Sequence, residues 1–217
     1  VVGDLHRERG VDLRLGTGVE ALHGDAGGRA SWARLTDGTT VEADVVLVGI
    51  GVTPNTAWLE GSGLDLGDGV VCDETCLAGP GVVAAGDVAR WPHPQFGGGD
   101  PIRIEQCDNA QVQGAHAART LLADLAGGRG QPFAPVPWFW SDQYDRKIQV
   151  VGRTSADCDV EVVAGSIEAR KFVALYGCGG RLVAALGMNM PAQVVRWRQV
   201  LVDGGVPWAD ALAVAAA

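Results

Sequence analysis

We predict an α/β portion followed by an α+β portion, and three patterns in the sequence lead to this prediction. The uncharged apolar runs Val45–Ile50 and Val82–Ala85 each end at a glycine, as buried strands of an α/β sheet do. Residues 108–126 have helical character and are followed by a glycine pair. Beyond a proline-rich linker at residues 131–137, short alternating segments indicate a small antiparallel sheet.

Composition limits the classes of partner. The chain has 217 residues, 47% of them apolar, which is typical of a globular protein. Its net charge of −9 argues against nucleic acid, because phosphate binding needs a basic surface. The first 130 residues carry 9 cationic and 18 acidic side chains, whereas the remainder carries 8 of each. We see no apolar run long enough to span a membrane and no signal peptide.

The cysteines indicate a reducing compartment. Five are present, an odd number, and none are spaced C-x-x-C, which fits the cytoplasm better than a disulfide framework. Cys72 and Cys76 flank a predicted turn, and a redox couple between them stays open. The acidic residues between these two thiols would raise their pKa values and argue against it.

The first third of the chain is predicted to be a helix end followed by an antiparallel meander. Residues 1–10 end a helix, and Val11–Leu15 alternates as a strand does. Arg29–Leu35 and Thr40–Ala43 form a hairpin around a Thr-Asp-Gly-Thr turn. The meander leads into Val45–Ile50, a strand that we expect to be buried on both faces.

Asp87 is predicted to lie at the carboxyl end of the strand Val82–Ala85. Open α/β sheets bind ligands at this edge. A carboxylate there can accept hydrogen bonds from sugar or ribityl hydroxyls; the alternative is that Asp87 only caps a turn. Upstream, Gly49 and Gly51 leave room for a ligand close to the backbone, or merely permit the next turn. Between Gly51 and this strand we predict a short helix, Asn55–Leu64, capped by Asn55, and a strand, Gly69–Asp73.

The helix over residues 108–126, capped by Asp108 or Asn109, would offer free amide groups and partial positive charge at its start. A planar cofactor that gains negative charge on reduction needs such a site. In the last part of the chain we predict four strands and two helices, in this order: Lys147–Val151, Cys158–Ala164, Ala169–Tyr176, Arg181–Leu186, residues 191–203 and residues 207–217.

Four motifs in register carry a family resemblance: Val48–Asn55 (VGIGVTPN), Val83–Ala89 (VAAGDVA), Asp108–Gly114 (DNAQVQG) and Pro137–Tyr144 (PWFWSDQY). Together they resemble the FAD-dependent ferredoxin reductases of oxygenase and cytochrome P450 systems; rubredoxin reductases and apoptosis-inducing factor are similar. The resemblance covers essentially the whole chain. It implies a flavoprotein that passes electrons from NAD(P)H through FAD to a ferredoxin-type iron–sulfur carrier, with no metal site and no catalytic side chain of its own.

The resemblance also implies a domain division. Residues 1–54 correspond to the second half of an inserted NAD-binding domain, residues 55–130 to the returning segment of the FAD-binding domain, and residues 131–217 to an antiparallel reductase domain. Both G-x-G-x-x-G fingerprints of the family are missing, so we expect the back half of a longer enzyme. The alternative is an inactive, cofactor-free module that binds a partner or dimerises, and a homodimer stays open.

By resemblance, Gly86 and Asp87 hold the ribityl or pyrophosphate end of FAD. The backbone at Gln106 and Cys107 meets the pyrimidine edge of the flavin. Cys107 departs from many relatives, which carry a tryptophan there.

The same resemblance places Trp140 beside the isoalloxazine and the nicotinamide, where an indole can stack on flat rings and exclude water. Its alternative is an ordinary core aromatic residue. Gly51 and Glu105 would border the nicotinamide nucleotide, although Glu105 is also a normal residue near a helix start.

A basic surface in the neutral last part would suit an acidic ferredoxin. The alternative is a solvated surface without a partner. The candidates are Arg170, Lys171, Arg181, Arg196 and Arg198.

Overall fold

A short helix, α1 (Val2–Arg7), begins the first of two units, which ends at Val52; the second begins at Thr53. The computed structural model describes residues 1–216. After α1 comes an antiparallel meander with strand order β1-β2-β3, which confirms the predicted meander. Its strands are β1 (Val19–Gly24), β2 (Ala30–Leu35) and β3 (Thr40–Glu42).

Two predicted strands of this unit are wrong. Val11–Leu15 and Val45–Ile50 are irregular, and no described strand pairs with them. Val45 is 85% exposed and Leu47 is 96% exposed, the opposite of the burial on both faces that we expected. A strand of this kind needs hydrogen-bonded neighbours and covering layers, and its own apolar sequence cannot supply them.

The second unit begins with short elements. The predicted helix Asn55–Leu64 is only a 3₁₀ turn, Ala57–Leu59, because Gly61 and Gly63 follow with φ of +78° and +85° and stop it. The segment continues with five short strands: β4 (Val70–Val71), β5 (Leu77–Gly79), β6 (Val82–Val83), β7 (Ala89–Pro92) and β8 (Pro101–Ile102).

These strands make small sheets instead of one wide sheet. β7 pairs in parallel with β4 and antiparallel with β8, while β5 and β6 form a separate hairpin. The predicted buried strand Val82–Ala85 is therefore shortened to β6, and its first residue, Val82, is exposed. Asp87 follows in a second 3₁₀ turn, Gly86–Val88, instead of directly ending a strand.

The predicted long helix is confirmed as α2 (Cys107–Leu125), and it packs on β5, β6 and the turn at Gly86. The predicted caps are wrong: the helix begins after Gln106, and Asn109 points inward instead. The core beside α2 surrounds the fully buried Trp91, whose indole N–H donates to the carbonyl oxygen of Phe133. The proline-rich linker is thus packed against the core.

The last part is the predicted antiparallel sheet, with strand order β11-β12-β13-β10-β9. One face packs on two helices, and Trp197 and Leu201 of the first helix are buried there. The first strand was not among our predictions, and Ala217 lies outside the described residues. The elements are β9 (Trp138–Gln143), β10 (Arg146–Gly152), β11 (Asp159–Ser166), β12 (Lys171–Cys178), β13 (Arg181–Met188), α3 (Pro191–Val202) and α4 (Trp208–Ala216).

The cysteines differ from our expectation. Cys158 and Cys178, 20 residues apart, form a disulfide, although the sequence favoured reduced thiols throughout. Cys72 and Cys76 are free and buried, so no disulfide joins them in this structure. Within residues 1–216, no helix combines the length and the apolar character needed to cross a bilayer.

Candidate functional site

The turn that carries Asp87 is held against α2 by contacts of Gly86 with the helix. Gly86 has φ of +75°, and a Cβ at this position would lie 3.4 Å from the Cβ of Ala110. The Gly86 N–H donates to Oε1 of the buried Gln113 at 2.9 Å. The turn is therefore held against the helix while the Asp87 side chain stays exposed.

A buried polar network surrounds Gln113. Its Oε1 also accepts from Nδ2 of Asn109 at 3.2 Å, and its Nε2 donates to Sγ of Cys76 at 3.5 Å. Burial raises the pKa of the Cys76 thiol to about 11 and that of Cys72 to about 12, so both stay neutral at ordinary pH. We did not predict Gln113; the available signal was its four-residue spacing from Asn109, which puts both on one helix face.

Arg103 ties the Asp87 turn to the segment that leads into α2. Its side chain is only 12% exposed. Nη1 donates to the backbone oxygen of Asp87 at 3.0 Å and also to the carboxylate of Glu105, while Nη2 pairs with Asp68 at 3.3 Å. One planar guanidinium thus connects three chain segments. Nothing in the sequence motif singled out this arginine.

The start of α2 and the strand β9 enclose a cleft, which we name the α2–β9 cleft. Glu105–Asp108 line one side and Trp138–Trp140 line the other, around a volume of about 190 Å³. A second cavity of about 310 Å³ shares Glu105, Gln106 and Phe139 with the cleft and extends to Arg153. Trp140 is 57% exposed, which excludes the alternative that it is a core aromatic residue of this chain.

The cleft has features that suit the pyrimidine edge of an isoalloxazine ring. Among the described residues no side chain caps the start of α2, so its first N–H groups can meet carbonyl oxygens of a ligand. Oε1 of Gln106 and Nε1 of Trp138 are buried and have no partner in residues 1–216. Orphaned polar atoms beside exposed aromatic rings fit a flat ligand with polar edges.

The structure brings together most of the predicted site residues. Glu105, Gln106, Cys107 and Trp140 line the α2–β9 cleft, and Arg103 links the Asp87 turn to it. Gly51 lies in the first unit, in the irregular segment before Thr53, with φ of +99°. The cofactor roles of these residues stay predictions.

Two family models match the chain. The model described as pyridine nucleotide-disulphide oxidoreductase matches residues 1–114, and the model described as reductase C-terminal matches residues 138–217. The chain is 42% identical to the ferredoxin reductase subunit of 5,5'-dehydrodivanillate O-demethylase from Sphingobium sp. (strain NBRC 103272 / SYK-6), over 93% of this chain and 47% of that protein.

Solved structures agree with the family models. A ferredoxin reductase from Rhodopseudomonas palustris has a TM-score of 0.82 and 33% identity, covering 94% of this chain and 49% of that one. Putidaredoxin reductase in its covalent complex with putidaredoxin has a TM-score of 0.80 and 34% identity, covering 93% and 47%. The chain spans about half the length of the relatives it matches. On this evidence the chain belongs to the pyridine nucleotide-disulphide oxidoreductase family and ends in a reductase C-terminal domain.

Proposed function

We propose that this chain forms the flavin-facing and carrier-facing part of an NAD(P)H-dependent, FAD-containing ferredoxin reductase. The observation that carries the proposal is the α2–β9 cleft, in which the uncapped start of a 19-residue helix faces exposed aromatic residues. FAD, when bound, accepts hydride from the nicotinamide and releases single electrons. The similarity to ferredoxin reductases, which covers 93% and 94% of this chain in the two comparisons, supports the same proposal.

The protein side chains would bind, orient and shield the cofactor. Asp87 accepts hydrogen bonds from ribityl hydroxyls, because its turn is fixed by Gln113 and its carboxylate is exposed. The helix start of α2 stabilises negative charge on the reduced ring. Trp140 covers the ring and limits access of water.

Glu105 is held by Arg103, which partly offsets its charge beside the proposed nicotinamide position while also pairing with Asp68. An uncompensated carboxylate there would oppose the gain of negative charge by the flavin, because like charges repel. Gly51 would contribute backbone to the nicotinamide nucleotide, as the family resemblance implies.

We propose an acidic ferredoxin-type iron–sulfur protein as the electron acceptor. Support comes from the cationic side chains of the last part of the chain. Arg198 lies with its guanidinium carbon 5.0 Å from the ring centroid of Trp138, which lines the α2–β9 cleft. Putidaredoxin reductase, a structural neighbour, forms a complex with putidaredoxin. Charge complementarity of this kind steers a small carrier toward the cofactor.

The test compares this chain with a fusion that places the unmatched part of the Sphingobium reductase subunit before Val1. We expect the fusion to bind FAD, seen as flavin absorption, and to reduce a dye and then a ferredoxin with NADH or NADPH. The chain alone is expected to hold FAD weakly, because it has no G-x-G-x-x-G sequence. A folded fusion that binds FAD but transfers no electrons would refute the reductase proposal; a fusion that binds no FAD would favour a cofactor-free module.

A substitution tests the assignment of Asp87. Asp87→Ala in the fusion should weaken FAD binding by about tenfold to a hundredfold, as expected for a lost charge-assisted hydrogen bond of roughly 1.5–3 kcal/mol. The matched control is Asp210→Ala, an exposed carboxylate on α4. Equal FAD affinity in both variants would remove Asp87 from the site.

A further inference from the structure

The disulfide between Cys158 and Cys178 has no part in the proposed electron path. Cys158 precedes β11, and Cys178 is the last residue of β12. Cys178 and Gly179 form one wall of a cavity of about 570 Å³, which we name the disulfide cavity. Its other walls are formed by Gln95–Gly98, Asp100–Ile102, the loop Arg153–Ser155 and Val183. A cavity of this volume is large enough for a small ligand.

The two sulfur atoms have different surroundings. The backbone N–H of Ser155 donates to Sγ of Cys158 at 3.3 Å, and no such N–H contact is found for Cys178 in residues 1–216. The Ser155 hydroxyl lies 3.5 Å from Sγ of Cys158 and 3.6 Å from Sγ of Cys178, so it can donate to either sulfur. The N–H would stabilise negative charge on Cys158, the hydroxyl can serve whichever sulfur leaves, and Cys178 lines the cavity.

This asymmetry determines the direction of thiol–disulfide exchange. An incoming thiolate attacks one sulfur, and the other sulfur leaves as a thiolate. Exchange is faster when the leaving thiolate is stabilised and when the attacked sulfur is accessible. In this chain both cysteines are half-buried, and the difference between them is one of position: Cys178 lines the cavity, whereas the Ser155 N–H donates to Cys158.

We propose that the disulfide cavity is a site of thiol modification, in which a low-molecular-weight zwitterionic thiol attacks Cys178 and Cys158 leaves. The bond between the thiol sulfur and Sγ of Cys178 forms as the Cys158–Cys178 bond breaks. Cys158 receives the electron pair and then a proton from solvent. The products are a mixed disulfide on Cys178 and a free thiol at Cys158, with no net oxidation.

The class of thiol follows from the charges in the cavity. Arg153 supplies a cation and Asp100 a carboxylate, so a thiol with both a carboxylate and an ammonium group meets a partner for each. The exchange also affects a second region, because Arg153 and Thr154 line the cavity next to the α2–β9 cleft as well. When Cys158 is released, the loop Arg153–Ser155 loses the disulfide that joins the chain just after it to the end of β12.

The test exposes the whole chain, in native buffer, to reduced glutathione as the probe. Samples are quenched with acid, alkylated after unfolding without reductant, and mapped by peptide mass. We expect glutathione on Cys178 and the alkyl group on Cys158, with the opposite arrangement at least about tenfold rarer. Three results would each overturn the proposal. They are a mixed disulfide on Cys158, an equal distribution of glutathione between the two cysteines, and a disulfide that resists glutathione although dithiothreitol reduces it.

Ser155→Ala gives a second measurement, because it removes the hydroxyl and keeps the backbone N–H. Exchange should slow by about threefold to tenfold, since the departing thiolate loses one hydrogen bond. The matched control is Ser62→Ala, whose hydroxyl accepts only from a local turn N–H among the described contacts. An unchanged rate in Ser155→Ala, with native circular dichroism, would overturn the role of the Ser155 hydroxyl in stabilising the departing thiolate, whereas the peptide map decides which sulfur leaves.

Discussion

Replacing Gln113 should loosen the turn that carries Asp87. In Gln113→Ala the buried Gly86 N–H loses its acceptor, and a buried donor without a partner costs about 1–3 kcal/mol. The side-chain amide of Asn109 still donates to the carbonyl oxygen of Ile104, so we add no separate free-energy cost for its lost bond to Gln113. The lost side-chain volume adds roughly 1 kcal/mol, because Gln113 is fully buried. The free energy of unfolding should therefore fall by about 2–4 kcal/mol.

Urea unfolding, followed by circular dichroism and tryptophan fluorescence, measures this loss as a shift of the midpoint at constant slope. Gln113→Met keeps most of the volume and removes the acceptor, so it isolates the hydrogen-bond part of the loss. Gln111→Ala is the matched control, since the same residue type is exposed two positions earlier on α2. If Gln113→Ala and Gln111→Ala differ by less than about 0.5 kcal/mol, the amide does not anchor the turn.

Two further predictions concern protonation. Burial lowers the pKa of His93 below its ordinary value of 6.5, and the nearby Arg153 cation adds to the shift. The unfolded chain therefore takes up the proton first, so the stability that this histidine contributes is complete above pH 6.5 and is lost as the pH falls toward the lowered pKa. Urea midpoints at about pH 7.5 and about pH 5.5 should differ more in the parent chain than in His93→Gln, and equal differences would contradict this. In a native thiol titration with an aromatic disulfide reagent, only the exposed Cys107 should react quickly, because Cys72 and Cys76 are buried with pKa values of about 12 and about 11. Fast reaction of two or more thiols would count against this assignment.

The sequence determined the elements whose stability is local. The helix α2 follows from its composition and its terminal glycines, and the meander β1–β3 follows from alternation and tight turns. The antiparallel sheet after the linker was predictable for the same reason, since hairpins pair neighbours in sequence. The four motifs were sufficient to indicate the family before any contact was known.

Elements that depend on distant partners, or whose sequence lacks a periodic pattern, were not predictable. Val45–Ile50 has the composition of a buried strand, yet in the described residues nothing pairs with it. The first strand of the last sheet, β9, was hidden because its aromatic residues do not alternate with polar ones. The sequence predicts Asp108 or Asn109 as the cap, but the helix begins after Gln106, and the amide of Asn109 donates inward to the carbonyl oxygen of Ile104.

The sequence by itself therefore determined the meander, the helix α2, the antiparallel sheet and the family, while the cofactor roles of Asp87, Gln106 and Trp140 stay predictions. Only the tertiary structure revealed the guanidinium of Arg103 between the Asp87 turn and Glu105, and the disulfide beside its own cavity. The physical reason is the separation along the sequence of the residues that are in contact. Turns, caps and periodic patterns act over a few residues, whereas the contact of Arg103 with Asp87 and the disulfide join residues 16 and 20 positions apart, whose meeting depends on the packing of the whole unit.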